Sequence, residues 1–79
     1  MDLINKHSNA YKFTYMGDKE LTVHDIKASH GDTFIVHEDN VAFFINQISA
    51  EDRDNLMFNK IMHSFSEDNK NNIEVVRAS

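Results

Sequence analysis

The chain contains no cysteine and no proline, and only two of its 79 residues are glycine. Without thiols it can form neither a disulfide framework nor a thiolate metal site, and the redox compartment cannot be read from the sequence. With only two glycines it has no glycine-rich loop of the kind that cradles phosphate groups. These absences exclude the usual nucleotide-binding loops.

Long apolar runs are also missing. No stretch approaches the roughly 20 apolar residues that a membrane-spanning helix needs. Residues 1–8 lack the apolar core of a signal peptide. We therefore expect a cytoplasmic protein consisting of one domain, residues 1–79, with a frayed N-terminus over residues 1–9.

Basic residues are few. The chain has 13 acidic and 8 basic residues, which gives a formal net charge of −5. No stripe of lysine and arginine is available to release counterions from a phosphate backbone, so direct binding to nucleic acid is not expected. The acidic surface indicates ordinary solubility or contact with a basic partner, such as a nucleic-acid-binding protein.

The first half of the chain shows the alternation that is typical of β-strands. Residues 10–16 place Tyr11, Phe13 and Tyr15 on one face, and residues 21–26 alternate as well. Gly17-Asp18 marks a turn between them. Matching of apolar residues predicts a hairpin in which Tyr15 faces Leu21 and Phe13 faces Val23.

A second hairpin is predicted around Asp39-Asn40. Residues 33–37 and 41–48 are rich in β-branched and aromatic side chains, and both turn residues tolerate a positive φ. A two-residue loop puts one apolar set on a single face, and this set comprises Phe34, Val36, Val41, Phe43 and Ile45. Ile35, Phe44 and Ile48 occupy the other face, which indicates a central hairpin or one covered by a partner.

After Ser49 the spacing of apolar residues changes. Phe58, Ile61, Met62 and Phe65 recur at i, i+3, i+4 and i+7, which predicts a helix over residues 50–65. Ser49 is expected to cap it, with Asp52 three residues later. Met57 and Met62 also fit an adaptable binding stripe, although side chains at this spacing more often belong to a core.

The predicted fold class is α+β. We expect a mostly antiparallel five-stranded sheet in the order β-β-β-β-α-β, with one helix on one face. Residues 66–72 read as a solvated loop and residues 73–76 as the last strand, joined to the fourth strand by a right-handed crossover if the two are parallel.

The sheet face opposite the helix is expected to stay partly bare. Ile35 and Phe44, together with Ile26, would then form an exposed apolar patch. Such patches usually mark interfaces, so this arrangement predicts a homodimer or a tight complex with another protein.

Three histidines in the middle third of the chain are candidate metal ligands. His24, His30 and His37 lie near carboxylates, but their spacing matches no metal motif, and we expect no bound metal or cofactor. His30 and Asp32 also fit an acid–base pair, but no activated nucleophile accompanies them. The alternative is structural, with Gly31 supplying a turn conformation and Asp32 capping it.

Two acidic clusters flank the predicted helix. They complement the helix dipole and solvate the chain, or they form a rim that docks on a basic groove. The clusters are Glu51, Asp52 and Asp54 at the start of the helix and Glu67 and Asp68 after it.

The function expected from these features is that of a small, acidic, non-enzymatic protein. It would bind a larger bacterial protein as a regulator or inhibitor by covering part of its surface. The residue bias resembles that of AT-rich genes, which are common in bacteriophages and mobile elements. The alternatives are an oligomeric accessory or structural subunit, and a minimal metal-dependent enzyme that uses the histidines.

Overall fold

Antiparallel strands dominate the computed structural model, which describes residues 7–65 and 73–78. One sheet has four strands in the order β5-β1-β4-β6, and β2 and β3 form a separate two-stranded sheet. The α+β class predicted from the sequence is confirmed. In chain order the elements are β1 (His7–Tyr15), β2 (Leu21–Val23), β3 (Ile26–Ala28), β4 (Thr33–His37), a 3-10 turn (Glu38–Asn40), α1 (Val41–Asn46), α2 (Ala50–Arg53), β5 (Leu56–Ser64) and β6 (Glu74–Val76).

Strand β1 lies inside the large sheet and pairs on both sides. It runs antiparallel to β4 and, along its full length, to β5. Tyr15 and Phe13 are buried, as the alternation predicted. The predicted partner of this strand was wrong, because both edges of β1 are occupied by strands from later in the chain. Residues 7–9, expected to be frayed, belong to β1, and residues 1–6 lie outside the described part.

The hairpin β2–β3 turns at His24-Asp25, inside the segment that was predicted as one strand. Both residues have positive φ, 52° and 64°, and Val23 pairs with Ile26 across them. Two central residues with positive φ are the requirement of the type I′ turn, whose twist matches that of the strands. The segment therefore folds back on itself, and β3 takes the place next to β2 that the sequence analysis assigned to β1.

The predicted hairpin at Asp39-Asn40 was wrong in its second half. Strand β4 forms as expected, but His37 Nδ1 accepts a hydrogen bond from the Asp39 N–H at 3.0 Å and starts a 3-10 turn. Helix α1 follows at once. The core-facing residues of α1 and of the segment just after it are spaced at i, i+3, i+4 and i+7. This helical period competes with the predicted strand pattern, and the residues are Val41, Phe44, Ile45 and Ile48.

The expected apolar patch is not exposed. Phe44 is completely buried, with its ring centroid 5.0 Å from that of Phe13 and 5.2 Å from that of Phe34. Ile35 is buried and Ile26 is half-buried. A helix that crosses the sheet turns Phe44 toward the strands, whereas the predicted strand would have turned it away.

The long helix predicted over residues 50–65 was also wrong. The cap is confirmed, since Ser49 Oγ accepts a hydrogen bond from the Asp52 N–H at 3.2 Å. Helix α2 nevertheless ends after one turn, and Leu56–Ser64 continues as strand β5. Strand β5 forms nine residue pairs with β1, and these satisfy backbone groups along one side of β5. The local helix propensity of this segment does not outweigh that pairing.

The last strand, β6, pairs antiparallel with β4. The parallel crossover expected from the sequence is therefore wrong, because residues 41–48 do not form a strand to accept it. The predicted loop over residues 66–72 lies outside the described residues.

A tight loop at Gly17 follows β1, where the turn was predicted. The buried Tyr15 hydroxyl donates a hydrogen bond to the Lys19 carbonyl at 2.7 Å. Burial, followed by the charges of Asp52 and Asp18, raises the pKa of Tyr15, so the donor stays protonated at neutral pH. A Cβ on Gly17 would collide with the Tyr15 hydroxyl oxygen, which explains the glycine.

The buried ring of Phe44 predicts a large effect on stability. Phe44→Ala should lower the free energy of unfolding by about 3–5 kcal/mol, because it leaves a cavity between α1 and the sheet. Phe43→Ala, on the exposed side of the same helix, should change it by about 0.5 kcal/mol or less. Urea denaturation of both variants measures the difference, and equal losses would contradict the orientation of α1.

Candidate binding surface

An apolar groove of about 390 Å³ lies between the helical segment and the sheet. Strands β1 and β5 supply one wall, and α1 supplies the other. Arg53 of α2 is the one charged residue among those that line it, so the groove suits an apolar group. The lining residues are Tyr11, Phe13, Val41, Ile45, Arg53, Leu56 and Phe58.

A row of aromatic rings connects the core to this groove. The buried Phe13 ring lies 5.8 Å from the ring of Phe58, and the Tyr11 ring lies 6.3 Å from each of them. Phe58 is itself 63% exposed. The ring is thus held in place by its neighbours while one face of it remains open to a ligand.

The side chain of Arg53 is held at the wall of the groove by a hydrogen bond to a nearby backbone carbonyl. Its Nε donates a hydrogen bond to the Ile48 carbonyl at 3.0 Å. The guanidinium group has further donors in a planar fork, which suit carbonyl or carboxylate oxygens. A polar acceptor next to an apolar group would therefore match this end of the groove.

Two of the residues that line the groove, Leu56 and Phe58, belong to β5, which forms one margin of the large sheet. No described strand pairs with the outer edge of β5. The Tyr15 N–H donates a hydrogen bond to the carbonyl of Asp32, the residue just before β4. The N–H of the next residue, Met16, donates to the carbonyl of Asn55, the residue just before β5. Because this alternation continues along an antiparallel pair, every second residue of β5 directs its N–H and C=O away from β1. These residues are Leu56, Phe58, Lys60, Met62 and Ser64.

Apolar side chains on β5 are unusually exposed for a strand. Met57 is 64% and Met62 is 59% exposed, in addition to Phe58. These residues were predicted to be helical, so an exposed strand edge was not expected here. The available signal was the recurrence of Leu56, Phe58 and Met62 at alternate positions, which indicates a strand.

Glu51 and Asp52 lie on α2 and Asp54 is its C-cap, so all three are close in sequence to Arg53. Glu51 and Asp54 are exposed, and Asp52 is half-buried beside its capping partner. Three of the predicted acidic residues thus flank, along the chain, a residue that lines the groove. The remaining two, Glu67 and Asp68, lie outside the described residues, so the predicted rim across both clusters remains a prediction.

The opposite face of the sheet carries a histidine–carboxylate pair that the sequence analysis did not single out. His63 Nε2 and Glu74 Oε1 are 3.0 Å apart, although their strands form the two outer edges of the sheet. In a flat sheet those edges would be about 14 Å apart, so this side curls inward. The ring of Phe65 contacts both His63 and His37 there. The cluster lies over one part of this face, since Met57, which shares the face with His63, is 64% exposed.

The histidines considered from the sequence have separate local roles. His24 stacks near the ring of Phe43, His30 Nδ1 lies 3.0 Å from the Met16 carbonyl, and His37 caps the 3-10 turn. Within the described ranges, no group of three histidine or carboxylate residues is placed to hold a metal ion.

The carboxylate of Asp32 is engaged in hydrogen bonds that hold the fold together. It accepts hydrogen bonds from the Ser29 and Ala78 N–H groups, both at 2.9 Å, and from Arg77 at 3.1 Å. The Ser29 bond, then the Ala78 bond and Arg77, lower the pKa of Asp32 despite its burial. Gly31 has a φ of 93°, as expected for a turn residue. Asp32 therefore ties the end of the chain to the loop before β4.

Comparison with known protein families, with curated proteins and with solved structures finds no match to this chain. Among the helices formed by the described residues, none is long and apolar enough to cross a membrane. The fold and the surface define a small α+β protein in which an apolar groove adjoins a strand edge that no described strand pairs with.

The lowered pKa of Asp32 predicts an acid-dependent contribution to stability. This contribution is fully present above the ordinary value of 3.8 and is lost as the pH falls through the lower folded-state pKa. Asp32→Asn should be less stable than the wild type at neutral pH, and the difference should shrink as the pH falls below the ordinary pKa of 3.8.

Urea denaturation at each pH measures this difference. Glu20→Gln, at an exposed position, controls for the loss of one negative charge. A stability gap between Asp32→Asn and the wild type that stays constant down to the lowest pH would contradict the assignment.

Proposed function

We propose that this chain is a small, non-enzymatic protein that regulates or inhibits a larger protein by binding an extended segment of it. The segment adds to the outer edge of β5 and places an apolar side chain in the adjoining groove. The observation that carries the proposal is that Phe58 belongs to both features. Its ring lines the groove and its backbone faces the free edge.

Strand addition explains why these two features occur together. An added strand gains affinity from hydrogen bonds between main chains and gains specificity from pockets for alternate side chains. Leu56 and Phe58 line the groove and are alternate residues of β5. An incoming residue opposite either of them would share their face of the sheet and enter the groove.

The acidic residues of α2 favour a segment with basic residues beside the apolar one. Exposed carboxylates at a rim mainly steer the encounter and contribute little to the final affinity. Glu51 and Asp54 can act in this way without disturbing the fold, because their side chains are exposed. The proposal therefore keeps the basic partner that was expected from the sequence. The apolar contact with that partner is now placed at Phe58.

A matched pair of substitutions tests the proposed surface. Extended peptides selected from a random library on the immobilised protein should bind Phe58→Ser at least about tenfold more weakly than the wild type, because the groove loses its exposed ring. Phe43→Ser should change affinity by less than about twofold. Phe43 is similarly exposed, at 56%, and does not line the groove.

Fluorescence polarisation measures the affinities, and circular dichroism verifies that both variants fold. Failure to select any peptide, or equal weakening by both substitutions, would argue against the groove as the binding site.

The acidic residues predict a salt-dependent on-rate. For a basic peptide from the same selection, the double variant Glu51→Gln and Asp54→Asn should associate more slowly than the wild type at about 0.05 M salt. The two proteins should converge at about 0.5 M salt, where the charges are screened. Stopped-flow fluorescence gives the rates.

The matched control for charge is the double variant Asp18→Asn and Glu20→Gln, which removes two exposed charges from a loop outside the groove lining. If the control slows association as much as the α2 variant does, net charge alone is responsible, and α2 has no special role.

A further inference from the structure

We propose that a second copy of this chain pairs with the β5 edge, with the two β5 strands antiparallel about a two-fold axis at Asn59. The large sheets of the two copies would then join into one continuous sheet. The inference uses the same edge as the proposed function, and it makes self-association a competitor of partner binding. It does not require that a partner exists.

Strand β5 lacks the features that usually prevent edge pairing. Natural edges are blunted by short strands, proline, bulges or several charges. Strand β5 has nine residues, no proline and an uninterrupted register with β1. Lys60 is its one Lys, Arg, Asp or Glu residue. The opposite edge, β6, has only three residues and is protected by its shortness.

The backbone limits the registers that a symmetric pair can adopt. The outward-facing residues of β5 must lie opposite outward-facing residues of the second copy, so the two-fold axis must pass through a residue and not between two residues. The central candidates are Asn59, Lys60 and Ile61. An axis at Lys60 places two lysines directly opposite each other, which is unfavourable.

The register centred on Asn59 gives the exposed side chains suitable partners. Lys60 lies opposite Phe58 of the second copy, where its ammonium group can contact the face of the ring. Met57 lies opposite Ile61 on the other side of the sheet. The two Asn59 side chains face each other and can exchange hydrogen bonds between their amide groups.

The same register also fills one end of the groove. Met62 of the second copy lies opposite Leu56, which lines the groove, and the two-fold axis repeats the contact in the other copy. Met62 is 59% exposed in the single chain. An axis at Ile61 would pair Phe58 with Ser64 and leave Leu56 unpaired, so it covers less apolar surface.

Charge favours this pairing as well. The chain carries a formal net charge of −5, yet β5 itself carries Lys60 and no carboxylate. Two copies that meet through β5 therefore bring no carboxylates of that strand close to each other. Contact through α2 would instead oppose two acidic clusters, which would repel each other.

Single cysteines test the register, because the natural chain has no cysteine. In the proposed register the two copies of Asn59 form a pair without backbone hydrogen bonds, with Cα atoms about 4.5 Å apart, within disulfide range. Asn59→Cys should form a covalent dimer under mild oxidation at least about tenfold faster than Lys60→Cys or Ile61→Cys, whose symmetric pairs lie more than about 7 Å apart.

Thr22→Cys, at an exposed position on β2, measures the rate of random collision. Cross-linking of Asn59→Cys no faster than that of Thr22→Cys would overturn the proposal. Fastest cross-linking of Lys60→Cys would overturn the register at Asn59.

Sedimentation of the unmodified protein provides an independent measurement. The average mass should rise toward that of a dimer between about 10 μM and about 1 mM, and Phe58→Ser should shift the rise to higher concentration. A monomer throughout this range would overturn the proposal whatever the cysteine variants show.

Peptide titration separates this proposal from the proposed function. A selected peptide that binds β5 should slow the cross-linking of Asn59→Cys, because both need the same edge. Cross-linking without any peptide binding would support the dimer and contradict the proposed function. Peptide binding by a protein that stays monomeric would do the reverse.

Discussion

The packing of Phe44 between Phe13 and Phe34 is the contact on which the architecture depends. It fixes α1 against the sheet, and it is the centre of a row of rings that runs from the buried core to the exposed Phe58. Because one helical turn holds Phe44 inward, Val41 and Ile45 face the same way and form a wall of the groove. The binding surface is therefore an extension of the core.

The second constraint is that β1 pairs on both sides. Strand β4 occupies one edge and β5 occupies the other, which leaves β5 itself at the margin of the sheet. A long strand in that position has backbone groups with no partner among the described residues, and it carries apolar side chains that the small core does not cover. A chain of 79 residues builds a core too small to bury every apolar side chain. Association through β5 would compensate for both.

The acidic character of the chain has a different role from its apolar surface. Carboxylates on α2 and at its C-cap are close in sequence to Arg53, which lines the groove, while Asp32 uses its charge to hold Arg77 and Ala78 within the fold. Surface charge acts over distances of about 8–10 Å and is screened by salt. Buried hydrogen bonds to a carboxylate act locally. The first kind of charge suits recognition, and the second kind stabilises the closure of the chain.

The sequence by itself determined the α+β class, the strands at residues 10–15 and 33–37, the turn at Gly31 and the cap at Ser49. Each of these depends on neighbouring residues, through side-chain alternation, backbone φ or a hydrogen bond across one turn. Residues 41–48 carried both a strand pattern and a helical one, and residues 56–64 did as well. The choice between strand and helix in these two segments depended on which other part of the chain packs or pairs with each of them. Only the tertiary structure decided that Phe44 lies in the core and Phe58 at the edge, because burial depends on which strand occupies each side of β1.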